Sequence, residues 1–195
     1  MSVKGVSSKM SQDERTTLLG HGAATLWFTG LPAAGKTTLT VELERELVTR
    51  GRPAYRLDGD TVRRDLCGDL GFGREARAEN VRRVALVSRL LADAGVLALV
   101  ALISPYTADR ELARELHNEL SLPFIEIFVD TPIELCQERD PKGLYERARR
   151  GELEALTGVD DPYEPPSNPD LRLSPQPLER SVQSVLELLS SQRLV

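Results

Sequence analysis

FTGLPAAGKTTL, from Phe28 to Leu39, is the most informative stretch of this 195-residue sequence. A short apolar run precedes it, and apolar residues three and four apart follow it, which predicts a strand, a glycine-rich turn and a helix in that order. Residues 30–37 fit the pattern G-x-x-x-x-G-K-[ST], which indicates phosphate binding in this strand-to-helix context. We therefore expect the stretch to hold a nucleoside triphosphate.

Each polar residue of this loop has a chemical reason to be there. Gly30 and Gly35 let the backbone curl so that its amide groups point inward, at the positive end of the following helix. Lys36 supplies a positive charge to the β and γ phosphates, and the hydroxyl of Thr37 is an oxygen ligand for Mg²⁺. A triphosphate donor with Mg²⁺ as its cofactor follows from these residue types.

Short apolar segments alternate with segments of helical period along the rest of the chain. Strands are predicted in ATLWFTG, PAYRLDGD, VLALVALISP and PFIEIFVD, and DLRLSP near Leu171 is a candidate fifth. Helices are predicted over 36–51, 74–95, 108–120 and 178–192, the first two ending at Gly51 and Gly95. This alternation predicts a three-layer α/β fold with a mainly parallel five-stranded sheet and ligands at the carboxyl ends of its strands.

Composition limits the classes of function and the location of the chain. The formal net charge is −5, which argues against a general nucleic-acid binder because such proteins need a basic face. No run of eighteen apolar residues and no apolar signal region is found, so we expect no membrane partner and a cytoplasmic location. Cys67 and Cys136 lack metal-site spacing and are expected to be free thiols in a reducing compartment.

The chain is expected to form one domain over residues 21–195, preceded by a mobile polar segment over residues 1–20. That segment is either a simple tail or an arm that becomes ordered over a ligand or a partner subunit. Its sequence does not separate these two alternatives.

An aspartate pair follows the second predicted strand, where Asp58 and Asp60 flank a glycine. One carboxylate can hold the metal and the other can take a proton from an attacking hydroxyl group. Asp60 is alternatively the N-cap of the next helix. Arg63, one helical turn later, can pair with Asp60 or bind a substrate phosphate.

Two basic clusters stand out in an otherwise acidic chain, over residues 72–83 and 139–150. The second contains five basic and two acidic residues and follows directly on a predicted strand. Such a patch is typical of a mobile lid that closes over phosphates and excludes water, although a solvated helix face would show the same pattern.

With these stretches identified, the chain resembles the adenylylsulfate kinase (APS kinase) family, which phosphorylates the 3′-hydroxyl of adenosine 5′-phosphosulfate (APS) with MgATP. The resemblance runs from about Thr25 to Pro166 and rests on DLGF (69–72), ISPY (103–106) and KGLY (142–145), in that order. It implies a P-loop kinase fold, usually a homodimer, whose product is 3′-phosphoadenosine 5′-phosphosulfate (PAPS). It also raises ATP sulfurylase, which makes the substrate, as an associated partner.

The resemblance assigns roles to individual positions. Catalytic positions are Lys36, Asp58, Asp60 and Ser104, the last matching a serine that the family uses as a phosphoserine intermediate, although direct in-line transfer needs no such carrier. ATP contacts are implied for Gly30, Leu31, Pro32, Ala33, Ala34, Gly35, Lys36, Thr37, Thr38 and Arg139. APS contacts are implied for Asp60, Arg63, Phe72, Arg77, Asn80, Ile103, Ser104, Lys142 and Leu156, and Mg²⁺ contacts for Thr37 and Asp58.

Within the APS subsite, the resemblance implies that Phe72 stacks on the adenine and that Lys142 of the lid lies near the phosphosulfate. Leu156 departs from the family pattern, because a phenylalanine is usual there. We expect it to cover the second face of the base by apolar contact, with weaker binding of APS.

Two other functions fit part of this pattern. A P-loop kinase for a sugar acid or a nucleoside would share the phosphate loop but would lack the aromatic side chain at Phe72. A nucleotide-sensing module without activity would usually have lost Lys36 or one aspartate, and this chain retains all three residues.

Overall fold

A computed structural model describes residues 10–195, and in this part of the chain one parallel sheet of five strands forms the centre. The strands are β1 (Thr25–Thr29), β2 (Ala54–Asp58), β3 (Leu97–Ala101), β4 (Phe124–Val129) and β5 (Leu171–Leu173). They lie in the order β2-β3-β1-β4-β5, and every neighbouring pair is parallel. The predicted parallel sheet and its fifth strand are confirmed.

The helices surround this sheet and complete the predicted three layers. They are α1 (Gln12–Leu19), α2 (Lys36–Thr49), α3 (Gly59–Asp65), α4 (Arg74–Asp93), α5 (Thr107–Asn118), α6 (Ile133–Arg139), α7 (Leu144–Arg149) and α8 (Leu178–Ser191). Helices α2 and α8 bury their apolar residues against one face of the sheet, and α3, α4 and α5 bury theirs against the other. This arrangement explains why β1 and β3 read as continuous apolar runs, since both of their faces are covered.

Consecutive residues of β1 belong to different cores, as the two-residue period of a strand requires. Leu26 and Phe28 pack with α2 and α8, whereas Trp27 packs on the opposite face with α4 and α5. The side of the sheet on which each β1 residue lies is therefore set by its position along the strand.

The helix ends follow the local sequence signals. Gly51 and Gly95 have φ angles of 73° and 95° just beyond α2 and α4, in the left-handed region that glycine enters at little cost. Both predicted stops are confirmed.

The structure corrects one predicted cap. Asp58, not Asp60, is the N-cap of α3, because its side chain accepts a hydrogen bond from the backbone N–H of Asp60 at 3.1 Å. The Asp60 side chain is consequently left for another role.

Helix α1 lies inside the segment predicted to be mobile. Ser11 and Glu14 close a reciprocal capping box at its start, and Gly20 ends it with a left-handed φ of 72°. Residues 1–9 lie outside the described part of the chain, and mobility over residues 1–20 stays a prediction.

Neither His21 nor His117 lines the cleft described below. His117 is fully buried, and its ring nitrogens contact Thr25 Oγ1 at 2.8 Å and the Ala113 carbonyl oxygen at 2.7 Å. The two cysteines are free and buried, and burial raises the pKa of each thiol. Both are thereby kept as unreactive thiols.

Candidate functional site

The loops that follow β1, β2, β3 and β4 meet at the carboxyl edge of the sheet and enclose a cleft of about 1090 Å³. Nearly all of the predicted site residues line it, namely Pro32, Ala33, Ala34, Gly35, Lys36, Thr37, Thr38, Asp58, Asp60, Arg63, Phe72, Arg77, Asn80, Ile103, Ser104, Arg139, Lys142 and Leu156. Gly30 and Leu31 do not line the cleft, but they belong to the same loop. Residues far apart in the sequence are thus brought to one place.

The phosphate loop between β1 and α2 has the backbone that its glycines predict. Gly30 has a φ of 152°, and a Cβ atom there would lie 2.6 Å from the carbonyl oxygen of Val129. Two residues outside the loop bond to its backbone. Thr131 Oγ1 donates to the Ala34 carbonyl at 2.9 Å, and the Tyr145 hydroxyl donates to the Pro32 carbonyl at 3.1 Å. The loop is therefore preorganised by both glycine and tertiary contacts.

Lys36 is buried at the first position of α2. Its ammonium group donates to the carbonyl oxygens of Gly30 and Leu31, both at 2.8 Å. Burial lowers its pKa to about 8, because the charged form loses water that the two carbonyls only partly replace. A phosphate group beside it would favour the charged form.

Thr37 and Asp58 form a compact oxygen site next to this lysine. Thr37 Oγ1 donates to Asp58 Oδ2 at 2.7 Å. Arg56 places Nη1 3.4 Å from the same carboxylate oxygen, while Oδ1 is occupied by the cap of α3. Both oxygens of Asp58 therefore have donors beside them, which fix the orientation of the carboxylate.

Asp60 has a different environment. Its side chain is 73% exposed and pairs with Lys142 at the start of the predicted lid. Arg63, for which sequence reasoning offered a bond to Asp60, instead donates to the carbonyl oxygen of Gly71 at 2.6 Å and lies 4.9 Å from the centre of the Phe72 ring. Asp60 thus lines the cleft, and Lys142 is the cation that pairs with it among residues 10–195.

Phe72 is 67% exposed and lines the cleft, and the guanidinium group of Arg63 lies over its ring. Leu156 is buried and lines the same cleft. An aromatic ring with a free face can accept a flat base by stacking.

Arg77 on α4 connects three segments of this half of the cleft. Its guanidinium group donates to the carbonyl oxygens of Phe72 at 2.8 Å and Ala155 at 2.7 Å, and to Thr157 Oγ1 at 3.1 Å. Its main visible effect is to hold the loop that carries Leu156 against the start of α4.

Asn80 lies one turn further along α4, lines the cleft and has an unsatisfied side-chain oxygen. The residue is only 5% exposed, and its Oδ1 atom has no hydrogen-bond partner within the described residues. A buried carbonyl oxygen without a partner is costly, so it is expected to accept a hydrogen bond from a bound ligand.

Ile103 and Ser104 form the turn after β3 at the floor of the cleft. Ser104 has a φ of 40°, which is uncommon for a residue other than glycine. Thr29 donates to the Ile103 carbonyl at 2.7 Å, and Arg110 donates to the Ser104 carbonyl at 2.8 Å. The turn is strained locally and is held by its surroundings.

The second basic cluster, which we call the lid segment (residues 139–150), runs from the last residue of α6 through the following turn and α7. Arg139 Nη1 lies 3.4 Å from the carbonyl oxygen of Ala34 in the phosphate loop, and Lys142 and Arg147 also line the cleft. These cations therefore surround the position expected for the phosphates.

Sequence reasoning missed several supporting residues, including Arg56, Thr131 and Tyr145. Arg56 gave a usable signal, because residues two apart on a strand share a face and Asp58 is the second residue after it. Thr131 and Tyr145 gave none, since their partners lie 97 and 113 residues away.

Comparisons with known proteins support the family resemblance. The sequence model of the family described as adenylylsulphate kinase matches residues 22–174. An adenylyl-sulfate kinase of Emericella nidulans is 45% identical over 95% of this chain and 94% of its own. An adenylyl-sulfate kinase of Aeromonas salmonicida is 50% identical, over 84% and 83%.

A solved structure gives the same result. The Mycobacterium tuberculosis APS kinase CysC in complex with AMPPNP and APS has a TM-score of 0.85 and 48% identity, covering 87% of this chain and 98% of that one. Since the family model and both relatives span most of the chain, this protein belongs to the adenylylsulphate kinase family and is a phosphoryl-transferring enzyme.

Proposed function

We propose that the protein transfers the γ-phosphoryl group of MgATP to the 3′-hydroxyl of APS, giving PAPS and ADP. One observation carries the proposal: a single cleft joins a phosphate loop to an aspartate pair and to a base-sized subsite with Phe72 and the unsatisfied Asn80 oxygen. A family member from Mycobacterium tuberculosis was solved with AMPPNP and APS, the same two ligand classes.

The donor half of the site is the loop from Gly30 to Thr38. We assign the triphosphate to its amide groups and to Lys36, which would exchange the carbonyls of Gly30 and Leu31 for phosphate oxygens. Arg139, next to Ala34, supplies a further positive charge from the lid segment.

Mg²⁺ is the proposed cofactor, and the oxygens of Thr37 and Asp58 suit it. They lie 2.7 Å apart beside the phosphate loop. Mg²⁺ prefers oxygen ligands and usually combines one or two protein ligands with phosphates and water. When bound, the ion neutralises charge on the phosphates.

The aspartate pair divides its work in this proposal. Asp58 is held by Thr37, Arg56 and the N-terminus of α3, which suits a fixed metal ligand. Within the described part of the chain the Asp60 side chain has only Lys142 as partner, and it lines the cleft, which suits a base that receives the proton of the 3′-hydroxyl group. We therefore assign the metal to Asp58 and the proton to Asp60.

The acceptor half binds APS from several sides. Phe72 and Leu156 would cover the two faces of the adenine, and the Oδ1 atom of Asn80 would accept a hydrogen bond from its amino group. Arg63, Arg77 and Lys142 provide the positive charge that a phosphosulfate needs.

Transfer is proposed to be direct. Lys36 stabilises charge on the moving phosphoryl group, and Lys142 leaves Asp60 as the anionic acceptor enters. The lid segment excludes water, so that ATP is not hydrolysed instead. Ile103 and Ser104 form the floor of the acceptor subsite.

Three wider assignments accompany this proposal. We propose a homodimer, checked by the mass in light scattering, and an association with ATP sulfurylase, checked by co-purification. A Mycobacterium tuberculosis relative at 49% identity is a bifunctional enzyme CysN/CysC, of which this chain spans 27%.

We also propose a cytoplasmic location, in keeping with two free thiols. No helix in the described part of the chain is long and apolar enough to cross a membrane.

The substrate test uses the purified chain with MgATP and one acceptor at a time, following ADP release and the mass of the product. APS should give a 3′-phosphorylated product. AMP should be a much poorer acceptor because it leaves the cations for the sulfate unpaired, and gluconate or shikimate should be rejected because neither offers a base. Rapid ADP release with shikimate, gluconate or a nucleoside, and none with APS, would contradict the proposal.

A further inference from the structure

Trp27 makes a buried hydrogen bond that the mechanism above does not use. It is the sole tryptophan of the sequence, is fully buried, and lies on β1 three residues before Gly30, the first residue of the phosphate loop. Its indole Nε1 is 3.0 Å from Ser104 Oγ, at the end of the neighbouring strand β3. Of these two residues, Ser104 lines the cleft.

The chemistry of the pair fixes the direction of this bond. The indole N–H can only donate, so Ser104 Oγ must be the acceptor. The hydroxyl hydrogen of Ser104 must then point elsewhere. Within residues 10–195, Trp27 is the single hydrogen-bond partner recorded for Ser104 Oγ, so that this hydrogen is left without a protein acceptor.

The turn around Ser104 is held in place by its neighbours, which fixes the position of the hydroxyl group. Its strained φ of 40° is maintained by Arg110, which is 2% exposed and donates to the Ser104 carbonyl at 2.8 Å. Arg110 is in turn fixed by Glu126 on β4 at 2.7 Å. Ser104 itself is only 3% exposed, so a ligand in the cleft is its remaining partner.

We propose that Trp27 is a positioning residue that makes Ser104 a hydrogen-bond donor of fixed direction toward the acceptor nucleotide. The recipient is a ring nitrogen or a phosphosulfate oxygen, either of which offers a lone pair. This inference rests on the proposed function and deepens it. It also opposes a phosphoserine role for Ser104, because the indole cannot remove the hydroxyl proton that such a nucleophile must lose.

The first experiment records the fluorescence of Trp27, which reports without interference because no other tryptophan is present. Saturating APS should change the emission of the wild-type protein, since a ligand that accepts from Ser104 polarises the Trp27 bond as well. The change should be lost in Ser104→Ala at saturating APS. An emission change of equal size in that variant would overturn the proposal.

The second experiment is a double-mutant cycle on the Michaelis constants. Trp27→Phe and Ser104→Ala should each raise the KM for APS about 3- to 10-fold, the usual scale of one hydrogen bond, with the KM for ATP unchanged. Combining them should cost no more than Ser104→Ala alone, because Trp27 acts through Ser104. If the increases in the KM for APS multiply in the double variant, the proposal is overturned.

A matched control separates positioning from loss of stability. Leu99 is fully buried on β3 in the opposite core, so Leu99→Ala should destabilise the fold while leaving the KM for APS unchanged. If Trp27→Phe does not fold, the fluorescence of wild type and Ser104→Ala still decides the question.

Two outcomes separate this inference from the proposed function. A wild-type protein that does not phosphorylate APS refutes the proposed function itself. An active protein in which γ-labelled ATP alone transfers its label to Ser104 supports a phosphoserine carrier and overturns only the assignment of Trp27 and Ser104.

Discussion

Lys36 shows at the scale of one residue how burial prepares a side chain for its ligand. Its pKa is lowered from 10.5 to about 8 by burial, so between these values the folded protein carries less charge there than the unfolded chain. The cost of burying the charged group is therefore greatest below pH 8 and is relieved as the pH rises through this value. Bound phosphate would restore the charge.

Nucleotide binding should consequently take up a proton at Lys36. We expect proton uptake at pH 8.5 and an affinity for MgATP that falls as the pH rises above about 8, because the neutral amine attracts phosphate weakly. Calorimetry in two buffers of different ionisation enthalpy measures the uptake. Lys36→Met should remove it, and undiminished uptake in this variant would rule out Lys36 as its source.

The two aspartates should respond differently to the same conservative change. Asp58→Asn should raise the Mg²⁺ concentration needed for half-maximal rate, and the cap of α3 should survive because asparagine caps helices as well as aspartate does. Asp60→Asn should lower kcat about 10²- to 10⁴-fold, the usual contribution of general base catalysis, with normal Mg²⁺ dependence.

Steady-state rates over a Mg²⁺ series for the two variants distinguish these roles. The opposite pattern, with Asp60→Asn requiring more Mg²⁺ and Asp58→Asn only slower, would exchange the two assignments.

At the scale of elements, the acceptor subsite depends on how α4 is joined to the loop over residues 155–161. Arg77 makes this connection through three donors that reach Phe72, Ala155 and Thr157. A planar guanidinium group donates from three separate nitrogens and can reach three separated acceptors, whereas the three donors of a lysine ammonium all lie on one nitrogen. The helix and the loop therefore form the subsite only together.

Arg77→Lys should weaken the connection between α4 and the loop over residues 155–161. We expect the KM for APS to rise about tenfold, within the cost of breaking buried hydrogen bonds, with little change for ATP. Amide hydrogen exchange over residues 155–161 should become faster, since local opening is less costly. Arg82→Lys is the control, because Arg82 is exposed on the same helix and pairs with Glu79. Equal exchange in both variants would contradict the prediction.

At the scale of the whole molecule, the cleft collects residues from both cores and from the lid segment. Lys36 starts a helix of one core, Asn80 lies on a helix of the other, and Lys142 belongs to the lid segment. A ligand bound in this cleft binds the folded protein and not the unfolded chain. Its binding energy is thus added to the stability of the entire fold.

MgATP should therefore raise the melting temperature. At a ligand concentration 100 times Kd, the added stability is about 2.7 kcal/mol, which corresponds to roughly 5–11 °C for a chain of this length. Scanning calorimetry measures the shift. Lys36→Ala at the same nucleotide concentration should show a much smaller one, and an equal shift would argue against the phosphate loop as the binding site.

Sequence alone was sufficient for features that depend on neighbouring residues. The phosphate loop, the five strands, helices α2, α4, α5 and α8, and the ends of α2 and α4 at Gly51 and Gly95 follow from local patterns, and many of the residues that line the cleft follow from the resemblance to a family. Such patterns are readable because the backbone preferences of glycine and the periods of strand and helix act over a few residues.

The tertiary structure decided the partners of the site residues. Thr37 bonds Asp58 across 21 residues of sequence, Trp27 bonds Ser104 across 77, and Lys142 reaches Asp60 across 82. These contacts depend on the order of the strands in the sheet and on the register between them, and hydrophobic periodicity carries no information on either. For that reason the sequence determined which chemical groups the cleft contains, and only the folded sheet determined which of them hold one another in place.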